Sequence, residues 1–196
     1  MIFFTGDLHL FHENIISLCN RPHKNKIEMN EDIISKNNEI VSDNDDVWDV
    51  GDFAFKCSPV DVVSCLKRLK GRRHIIMGNH DKPLLQAYKK GLIDLLIKNN
   101  KVEIIGIESI ICDKTISISK MLTIDNHKVF LSHYSCRSWP GAFRGSMMLY
   151  GHSHGNLTEP FHKSFDVGVD SNNFYPWRWE DVKARMYNIN RPFVEN

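Results

Sequence analysis

The sequence contains no CxxC pair, and its five cysteines are scattered through 196 residues. An odd number of widely separated cysteines does not suit a disulfide framework. We therefore expect reduced thiols, most of them packing residues, as is usual in a reducing compartment.

The chain also lacks a long apolar run and a strong net charge. Its first residues, MIFFTGD, reach an aspartate at position 7, so this run is too short for a signal-peptide core or a membrane span. The formal net charge is +1, with 42% hydrophobic and 25% charged residues, so no overall field attracts nucleic acid or a membrane surface. We expect a cytoplasmic protein without a membrane partner, and the composition leaves its oligomeric state open.

No internal repeat, low-complexity tract or Pro/Gly/Ser-rich linker divides the chain. Its length suits one domain with a substantial core. We predict a single domain over residues 1–196.

Histidine, in contrast, is abundant, with ten residues. Two of them stand one residue apart in the segment YGHSHGN, residues 150–156. In extended backbone, residues i and i+2 lie on the same side, and the flanking glycines disfavour a helix. Two such imidazoles can bind a metal ion, but a polar loop with two unrelated surface histidines explains an isolated HxH segment at least as well.

Short apolar runs rich in β-branched and aromatic residues predict five buried strands, at residues 2–5, 47–50, 74–77, 129–131 and 147–150. Helical patterns lie between the first three, at residues 13–19, at residues 31–41 and in a segment that Ser58 and Pro59 open and Gly71 closes. This alternation predicts βαβ units and an at least partly parallel sheet.

The second half of the chain has a different pattern. Residues 102–111 and 115–124 carry many β-branched residues on either side of a Cys-Asp-Lys turn, which predicts antiparallel strands. A last helix is expected near residues 180–187, after an aromatic cluster at residues 174–179. This is more strand than one sheet usually holds, so we expect two packed sheets flanked by helices.

Metal-competent side chains follow all five predicted strands. In open α/β sheets the carboxyl ends of the strands meet at one edge, so these side chains are expected to share a pocket. Glycines that precede several of them are expected to let the backbone turn sharply as it leaves the sheet. The candidates are Asp7, His9, Asp52, Asn79, His80, Asp81, His133, His152 and His154.

The types of ligand narrow the choice of metal. Histidine nitrogen mixed with carboxylate and amide oxygen, without thiolate, suits Mn²⁺, Fe, Zn²⁺, Co²⁺ or Ni²⁺ and disfavours an Fe–S cluster or a four-cysteine zinc site. Two Asp, one Asn and four or five His of this set, at least seven ligands, are too many for one tetrahedral ion. Two ions about 3.5–4 Å apart that share a carboxylate would use them, and such pairs act in in-line displacement at phosphorus. A hydroxide that bridges the ions would be the nucleophile.

The series Asp7-x-His9, Gly51-Asp52, GNHD at residues 78–81, His133 and GHSH at residues 151–154 resembles the calcineurin-like metallophosphoesterase family. The motifs occur in the family's order and span most of the chain. The resemblance implies a four-layer α/β/β/α sandwich and two divalent ions, with Mn²⁺ as the first choice. It assigns Asp7, His9, Asp52 and His154 to one ion, and it assigns Asp52, Asn79, His133 and His152 to the other.

The resemblance also implies roles for two residues that are not ligands. His80 would contact the phosphate and stabilise the transition state or protonate the leaving oxygen, and Asp81 would orient His80. The implied activity is hydrolysis of a small phosphomonoester or phosphodiester, such as a nucleotide or cyclic nucleotide. Two alternatives stay open. One is a nuclease acting on oligonucleotide ends, since the near-neutral charge disfavours only long nucleic acid. The other is a non-catalytic interaction scaffold of the same fold, which the intact ligand set disfavours.

Four further residues are candidate substrate contacts. His12 can face the pocket or open the first helix. The guanidinium groups of Arg21, Arg137 and Arg144 can bind substrate oxygens or lie solvated at the surface. The aromatic cluster at residues 174–179 can stack a base or pack in the core.

Overall fold

Two mixed β-sheets dominate the computed structural model, which describes residues 1–106, 119–157 and 162–189. The strands within these ranges are β1 (Ile2–Thr5), β2 (Asp46–Asp49), β3 (Arg72–Ile76), β4 (Val102–Ile105), β5 (Ser119–Ile124), β6 (His127–Ser132), β7 (Met147–Tyr150), β8 (Ser164–Asp166) and β9 (Trp177–Arg178). The first sheet has the order β4-β3-β2-β1-β9, with β9 antiparallel to its neighbour β1 and the other pairs parallel. The second has the order β5-β6-β7-β8, with only the β5–β6 pair antiparallel.

The helices of the described residues are α1 (Ile15–Leu18), α2 (Lys26–Ile40), α3 (Pro59–Arg68), α4 (Lys82–Lys89), α5 (Asp94–Lys98) and α6 (Trp179–Asn188). Side chains of α2, α3 and α4 pack against the first sheet in one core cluster. A second cluster fills the space between the two sheets and includes the buried face of α6. On the outer face of the second sheet, Trp139 and Ala142 cover Met148 and Tyr150. The predicted class, α/β with two mixed sheets flanked by helices, is confirmed.

Local sequence explains several element boundaries. The side chain of Asn25 accepts hydrogen bonds from the backbone N–H groups of Ile27 and Glu28, so α2 begins five residues before the predicted start at residue 31. Ser58 and Asp61 form the expected start of α3: the Ser58 hydroxyl accepts from the Asp61 N–H, and the Asp61 carboxylate accepts from the Ser58 N–H.

Within the described residues, the two runs predicted as antiparallel strands do not pair with each other, and only the second, β5, is antiparallel to a neighbour. Strand β4 lies in the first sheet, parallel to β3, whereas β5 lies in the second sheet, antiparallel to β6. Two adjacent β-rich runs look like a hairpin, but Val102 and Ile104 are buried in the core beneath the helices, which fixes β4 at the edge of the first sheet. The Cys-Asp-Lys turn itself lies outside the described residues.

Two expectations from composition concern the described residues only. Cys19, Cys57, Cys65 and Cys136 are free thiols, as expected. None of the helices in the described ranges is both long enough and apolar enough to cross a bilayer.

Candidate metal centre

The candidate ligands gather where strands of both sheets end. Asp7 and His9 follow β1, Asp52 follows β2, and Asn79 follows β3 in the first sheet. In the second sheet, His133 follows β6, while His152 and His154 follow β7. Backbone hydrogen bonds from Asp7 N to Gly51 O (2.8 Å) and from Gly151 N to His133 O (3.1 Å) join loops within each sheet.

The side chains form two groups of three. Asp7, His9 and His154 each offer one ligand atom, and these atoms all lie within 4.8 Å of one another. Asp52, His133 and His152 meet the same condition. Oδ1 of Asn79 lies 2.9 Å from Nε2 of His133, which puts this amide beside the second group.

Asp52 lies between the two groups. Its Oδ2 is 3.5 Å from Nε2 of His9 in the first group and 3.5 Å from Nε2 of His133 in the second. Its Oδ1 accepts a hydrogen bond of 2.8 Å from the backbone N–H of His80. One carboxylate oxygen therefore faces both groups while the other is fixed by the backbone.

Strained backbone marks most of the candidate ligands. Positive φ occurs at Asp7 (53°), His9 (48°), Asp52 (58°), His152 (67°) and His154 (49°). Asp, Asn and His tolerate the left-handed region better than other side chains, but it still costs about 1–3 kcal/mol per residue. Such strain persists only where the surrounding structure enforces it, and it clusters at functional sites.

The glycines that precede candidate ligands were expected to permit sharp turns, but most of them do not adopt a positive φ. Of the four that precede Asp7, Asp52, Asn79 and His152, only Gly51 has a positive φ, of 110°. Gly78 is needed for space, because a β-carbon there would lie 2.2 Å from Oδ1 of Asp52 and 2.5 Å from its backbone nitrogen. The ligand residues themselves make the left-handed turns.

The first group contains unpartnered polar atoms and crowded carboxylates that fit a cation. Oδ2 of Asp7 and both ring nitrogens of His9 are buried and have no hydrogen-bond partner among the described residues. Burial raises the pKa of Asp7 well above its ordinary value, and the carboxylates of Asp166 and Asp52 raise it further. Burial, together with the neighbouring His154 ring, lowers the pKa of His9 to about 2. A neutral imidazole beside a carboxylate that lacks a counter-charge fits a divalent ion.

Hydrogen bonds orient two of the candidate histidines. Nδ1 of His133 lies 3.0 Å from the carbonyl oxygen of Val50 and donates to it, which turns Nε2 toward Asp52 and Asn79. Nδ1 of His154 lies 2.7 Å from Oδ2 of Asp170. Burial raises the pKa of Asp170, but hydrogen bonds from His154 and Arg21 outweigh this effect, so the net shift is downward and the carboxylate is ionised.

Asp166 and Asp170 are not among the predicted site residues, yet both contact the loop that carries candidate ligands. Asp166 accepts hydrogen bonds from the Ser153 hydroxyl (2.5 Å) and the Gly155 N–H (2.9 Å), which fixes the loop that carries His152 and His154. A weak signal was present: in the segment SFDVGVD, at residues 164–170, two aspartates alternate with apolar residues around a glycine.

The predicted role of Asp81 is wrong. Its buried carboxylate accepts hydrogen bonds from the backbone N–H groups of Gly78 (2.8 Å), Asp52 (2.9 Å) and Phe53 (2.7 Å). Within the described part of the chain, no hydrogen bond joins it to the ring of His80. Since a carboxylate has only acceptors, these amides take up its oxygens, and Asp81 joins the loops after β2 and β3 instead of orienting His80.

The predicted substrate contact is also wrong for Arg21. Its side chain is fully buried and is bonded to Asp170 and to backbone carbonyls. Arg144 is exposed and lines a cavity of about 750 Å³ on the outer face of the second sheet, whose lining includes none of the candidate ligands. Arg137 is exposed, and no contact within the described ranges joins it to the centre.

Aromatic rings flank His80 on one side of the centre. His12 and Phe55 are partly exposed, and the Phe55 ring centroid lies 4.1 Å from that of His12 and 4.7 Å from that of His80. His12 therefore faces the pocket beside His80, at a centroid distance of 6.5 Å. On the other side, the exposed Tyr134 packs edge-on against His152 and donates its hydroxyl to Oδ1 of Asn79. Neither Phe55 nor Tyr134 is among the predicted site residues, although Tyr134 begins the loop at residues 134–146 in which substrate specificity is expected.

The aromatic cluster at residues 174–179 is largely part of the core. Phe174 and Trp179 are buried in the two main core clusters, and Trp177 packs against Phe165. These contacts support a packing role for the aromatic cluster and not base stacking.

Cys19, His154 and Asp170 form a third group with ligand-like spacing. Burial, assisted by the Asp170 carboxylate, raises the pKa of the Cys19 thiol to about 11. Because the thiolate is the form that binds metal, and Arg21 already pairs with Asp170, this group is a poor cation site.

No protein-family model matches the chain. Among curated proteins, the uncharacterized protein MJ1445 of Methanocaldococcus jannaschii is 29% identical over 182 residues, which are 89% of this chain and 85% of that protein. Among solved structures, the protein of unknown function AQ665 from Aquifex aeolicus has a TM-score of 0.67 at 20% identity, covering 94% of this chain and 98% of that chain. The second likeness shows the fold, and neither name states an activity.

Proposed function

We propose that this chain is a dinuclear metal-dependent phosphoesterase of the calcineurin-like class. The observation that carries the proposal is the position of Asp52, whose Oδ2 lies 3.5 Å from a histidine of each ligand group. One carboxylate oxygen placed between two sets of N and O donors is the arrangement that a shared ligand requires.

Asp7, His9 and His154 would hold one ion, and Asn79, His133 and His152 would hold the other, with Asp52 shared. Two divalent ions there would supply positive charge to the phosphate oxygens and lower the pKa of water for attack on phosphorus. Mn²⁺ is the first choice, and Fe, Zn²⁺, Ni²⁺ and Co²⁺ suit the same donors.

His80 is the proposed acid or electrostatic stabiliser. Its ring is half-buried and lies 5.5 Å from the ring of His9, between centroids, so it reaches the edge of the centre without belonging to either ligand group. An imidazole in this position can donate a proton to a leaving oxygen or stabilise charge on the phosphate.

The substrate we propose is a small phosphomonoester or phosphodiester, with a short oligonucleotide end as a variant of the same class. His12 and Phe55 lie next to His80 and would contact the leaving group, while Tyr134 would border the phosphate near Asn79. A cytoplasmic location belongs to the same proposal.

The test combines a substrate panel with metal analysis. Purified protein is assayed on phosphomonoesters and phosphodiesters with each of several divalent ions, and bound metal is counted in wild type and in Asp52→Asn. We expect turnover on at least one substrate, two ions per chain, and loss of both ions and turnover in Asp52→Asn. Two ions without turnover on any ester would favour a metal-stabilised scaffold, and two ions retained in Asp52→Asn would reject the shared ligand.

A further inference from the structure

We infer that Arg21 and Asp170 form a buried brace that positions Asp7, His9 and His154, and so sets the affinity of one metal site and not the other. The inference rests on the proposed dinuclear centre, and it assigns to Arg21 a positioning role in place of the predicted substrate contact.

The brace starts at a two-point ion pair. Nε of Arg21 donates to Oδ1 of Asp170 at 2.8 Å, and Nη2 donates to Oδ2 at 2.8 Å. The Arg21 side chain is 0% exposed and that of Asp170 is 8% exposed, so water screens this pair little. A planar guanidinium that meets both carboxylate oxygens fixes the plane of the carboxylate as well as its position.

The same guanidinium holds the first motif. Nη2 also donates to the carbonyl oxygen of Asp7 at 2.7 Å, and Nη1 donates to that of Leu8 at 3.0 Å. These carbonyls belong to the segment in which Asp7 and His9 adopt positive φ. Arg21 thus supports the strained turn that directs both side chains toward the centre.

At its other end the brace fixes one histidine. Nδ1 of His154 lies 2.7 Å from Oδ2 of Asp170. Because an ionised carboxylate only accepts, Nδ1 carries the proton and Nε2 is the nitrogen left to bind a cation. All three members of the first ligand group therefore depend on one arginine.

The second ligand group is held by other means. His133 donates to the carbonyl oxygen of Val50. The carboxylate of Asp52 accepts from the backbone N–H of His80, and the backbone N–H of Asp52 donates to the carboxylate of Asp81. None of these contacts involves Arg21 or Asp170. The link between His152 and the first group runs through the backbone, where the N–H of His152 donates to Oδ1 of Asp7 at 3.0 Å and leaves the His152 ring free of the brace. Loss of the brace is therefore expected to weaken one site selectively.

Mn²⁺ binding to the full chain tests the inference. Calorimetry of chelator-treated protein gives the two affinities, and electron paramagnetic resonance separates a spin-coupled pair from a single ion. For Arg21→Gln and for Asp170→Asn we expect one Mn²⁺ affinity to fall about 10–100-fold while the other is retained, with a single-ion spectrum at intermediate Mn²⁺. Arg21→Lys, which keeps the charge but cannot make the two-point contact, should fall between these variants and wild type.

Arg73→Gln is the matched control. Arg73 is equally buried and pairs with Asp49, but its hydrogen bonds reach Asp49 and Asn37 and not the Asp7 to His9 turn. It should lower thermal stability as Arg21→Gln does. Because Asp49 also accepts from the N–H of Gly51, beside the shared Asp52, any effect of Arg73→Gln on metal binding should fall on both ions alike and not on one selectively. If Arg21→Gln does not fold, Asp170→Asn carries the test.

The outcomes separate the brace from the proposed function. Wild-type protein that binds fewer than two Mn²⁺ would reject the dinuclear centre and the brace with it. Two ions bound by wild type with unchanged affinities in folded Arg21→Gln and Asp170→Asn would overturn the brace alone. As a readout without metal, nitrogen-15 spectra of the apo protein should show a proton on Nδ1 of His154, and an imidazole protonated on Nε2 alone would also overturn the brace.

Discussion

A single glycine shows how closely the backbone packs at the centre. A β-carbon at Gly78 would lie 2.2 Å from Oδ1 of Asp52 and 2.5 Å from its nitrogen, and neither atom belongs to the free end of a flexible chain. Gly78→Ala must therefore displace Asp52. We expect a loss of stability of about 1–3 kcal/mol, typical of overpacking, together with weaker binding of both ions, measured by denaturant unfolding and Mn²⁺ titration.

Gly145→Ala is the control for this change. Gly145 has a φ of 82° and nothing within 4 Å of an added β-carbon, so alanine there introduces only backbone strain. It should cost a similar free energy of unfolding, about 1 kcal/mol, and leave Mn²⁺ binding intact. Equal Mn²⁺ affinities in Gly78→Ala and Gly145→Ala would contradict the steric argument.

His80 offers a second test on the scale of one side chain. The hydrogen bond from His80 to Asp52 comes from the backbone N–H, so His80→Ala removes the ring and keeps the contact that fixes the shared carboxylate. We expect two bound ions and a fall in turnover of roughly 10²–10⁴, the range for a lost proton-transfer group. If His80→Ala turned over an ester with a poor leaving group as fast as wild type does, the proposed role of His80 would be rejected.

Among the helices, α3 has the clearest start signal in the sequence. The reciprocal hydrogen bonds between Ser58 and Asp61 predict that Ser58→Ala lowers the free energy of unfolding by about 1 kcal/mol, without an effect on bound metal. Ser17→Ala is a matched exposed change, because the Ser17 hydroxyl donates to Asn14 O and caps nothing. Thermal unfolding that shows equal effects for the two variants would count against the cap.

The elements also show how far local sequence can be taken. The predicted strands at residues 2–5 and 147–150 match β1 and β7, because each is a short apolar run buried on both faces and bounded by glycine within two residues. The partner of strand β4 cannot be predicted locally. It depends on the core in which Val102 and Ile104 are buried, and burial is decided by the fold as a whole. Helix α4 has no counterpart among the predicted helices, since its eight residues follow directly on the GNHD motif.

On the scale of the whole molecule, the candidate ligands could be predicted but their supports could not. The ligands follow the predicted strands in the sequence, so their pattern can be recognised without the fold. Arg21 and Asp170 are 149 residues apart in the chain, and the roles of Asp81 and Asp166 depend on which backbone N–H groups meet them after folding. A buried arginine that fixes a carboxylate has no local signature, so the sequence suggested a substrate contact instead.

Metal binding should therefore stabilise the entire fold. The centre joins the ends of both sheets, and without a cation it concentrates the buried carboxylates of Asp7, Asp52, Asp166 and Asp170, whose mutual repulsion raises the pKa of Asp7 in addition to the effect of burial. An ion that binds only the folded chain at a hundredfold excess over its dissociation constant adds about 2.7 kcal/mol, which is roughly 5–10 °C in melting temperature for a protein of this size.

Thermal unfolding with Mn²⁺ and with a chelator measures this coupling. We expect the melting temperature of wild type to rise with the logarithm of free Mn²⁺ and to fall on chelation, since mass action links the ion to the folded state alone. In Asp52→Asn the dependence should nearly vanish, because the ligand that faces both groups is lost. Arg21→Gln should keep a reduced dependence from the ion at His133 and His152. A melting temperature of wild type that does not respond to Mn²⁺ or any other divalent ion would contradict the proposal that the buried carboxylates are arranged around cations.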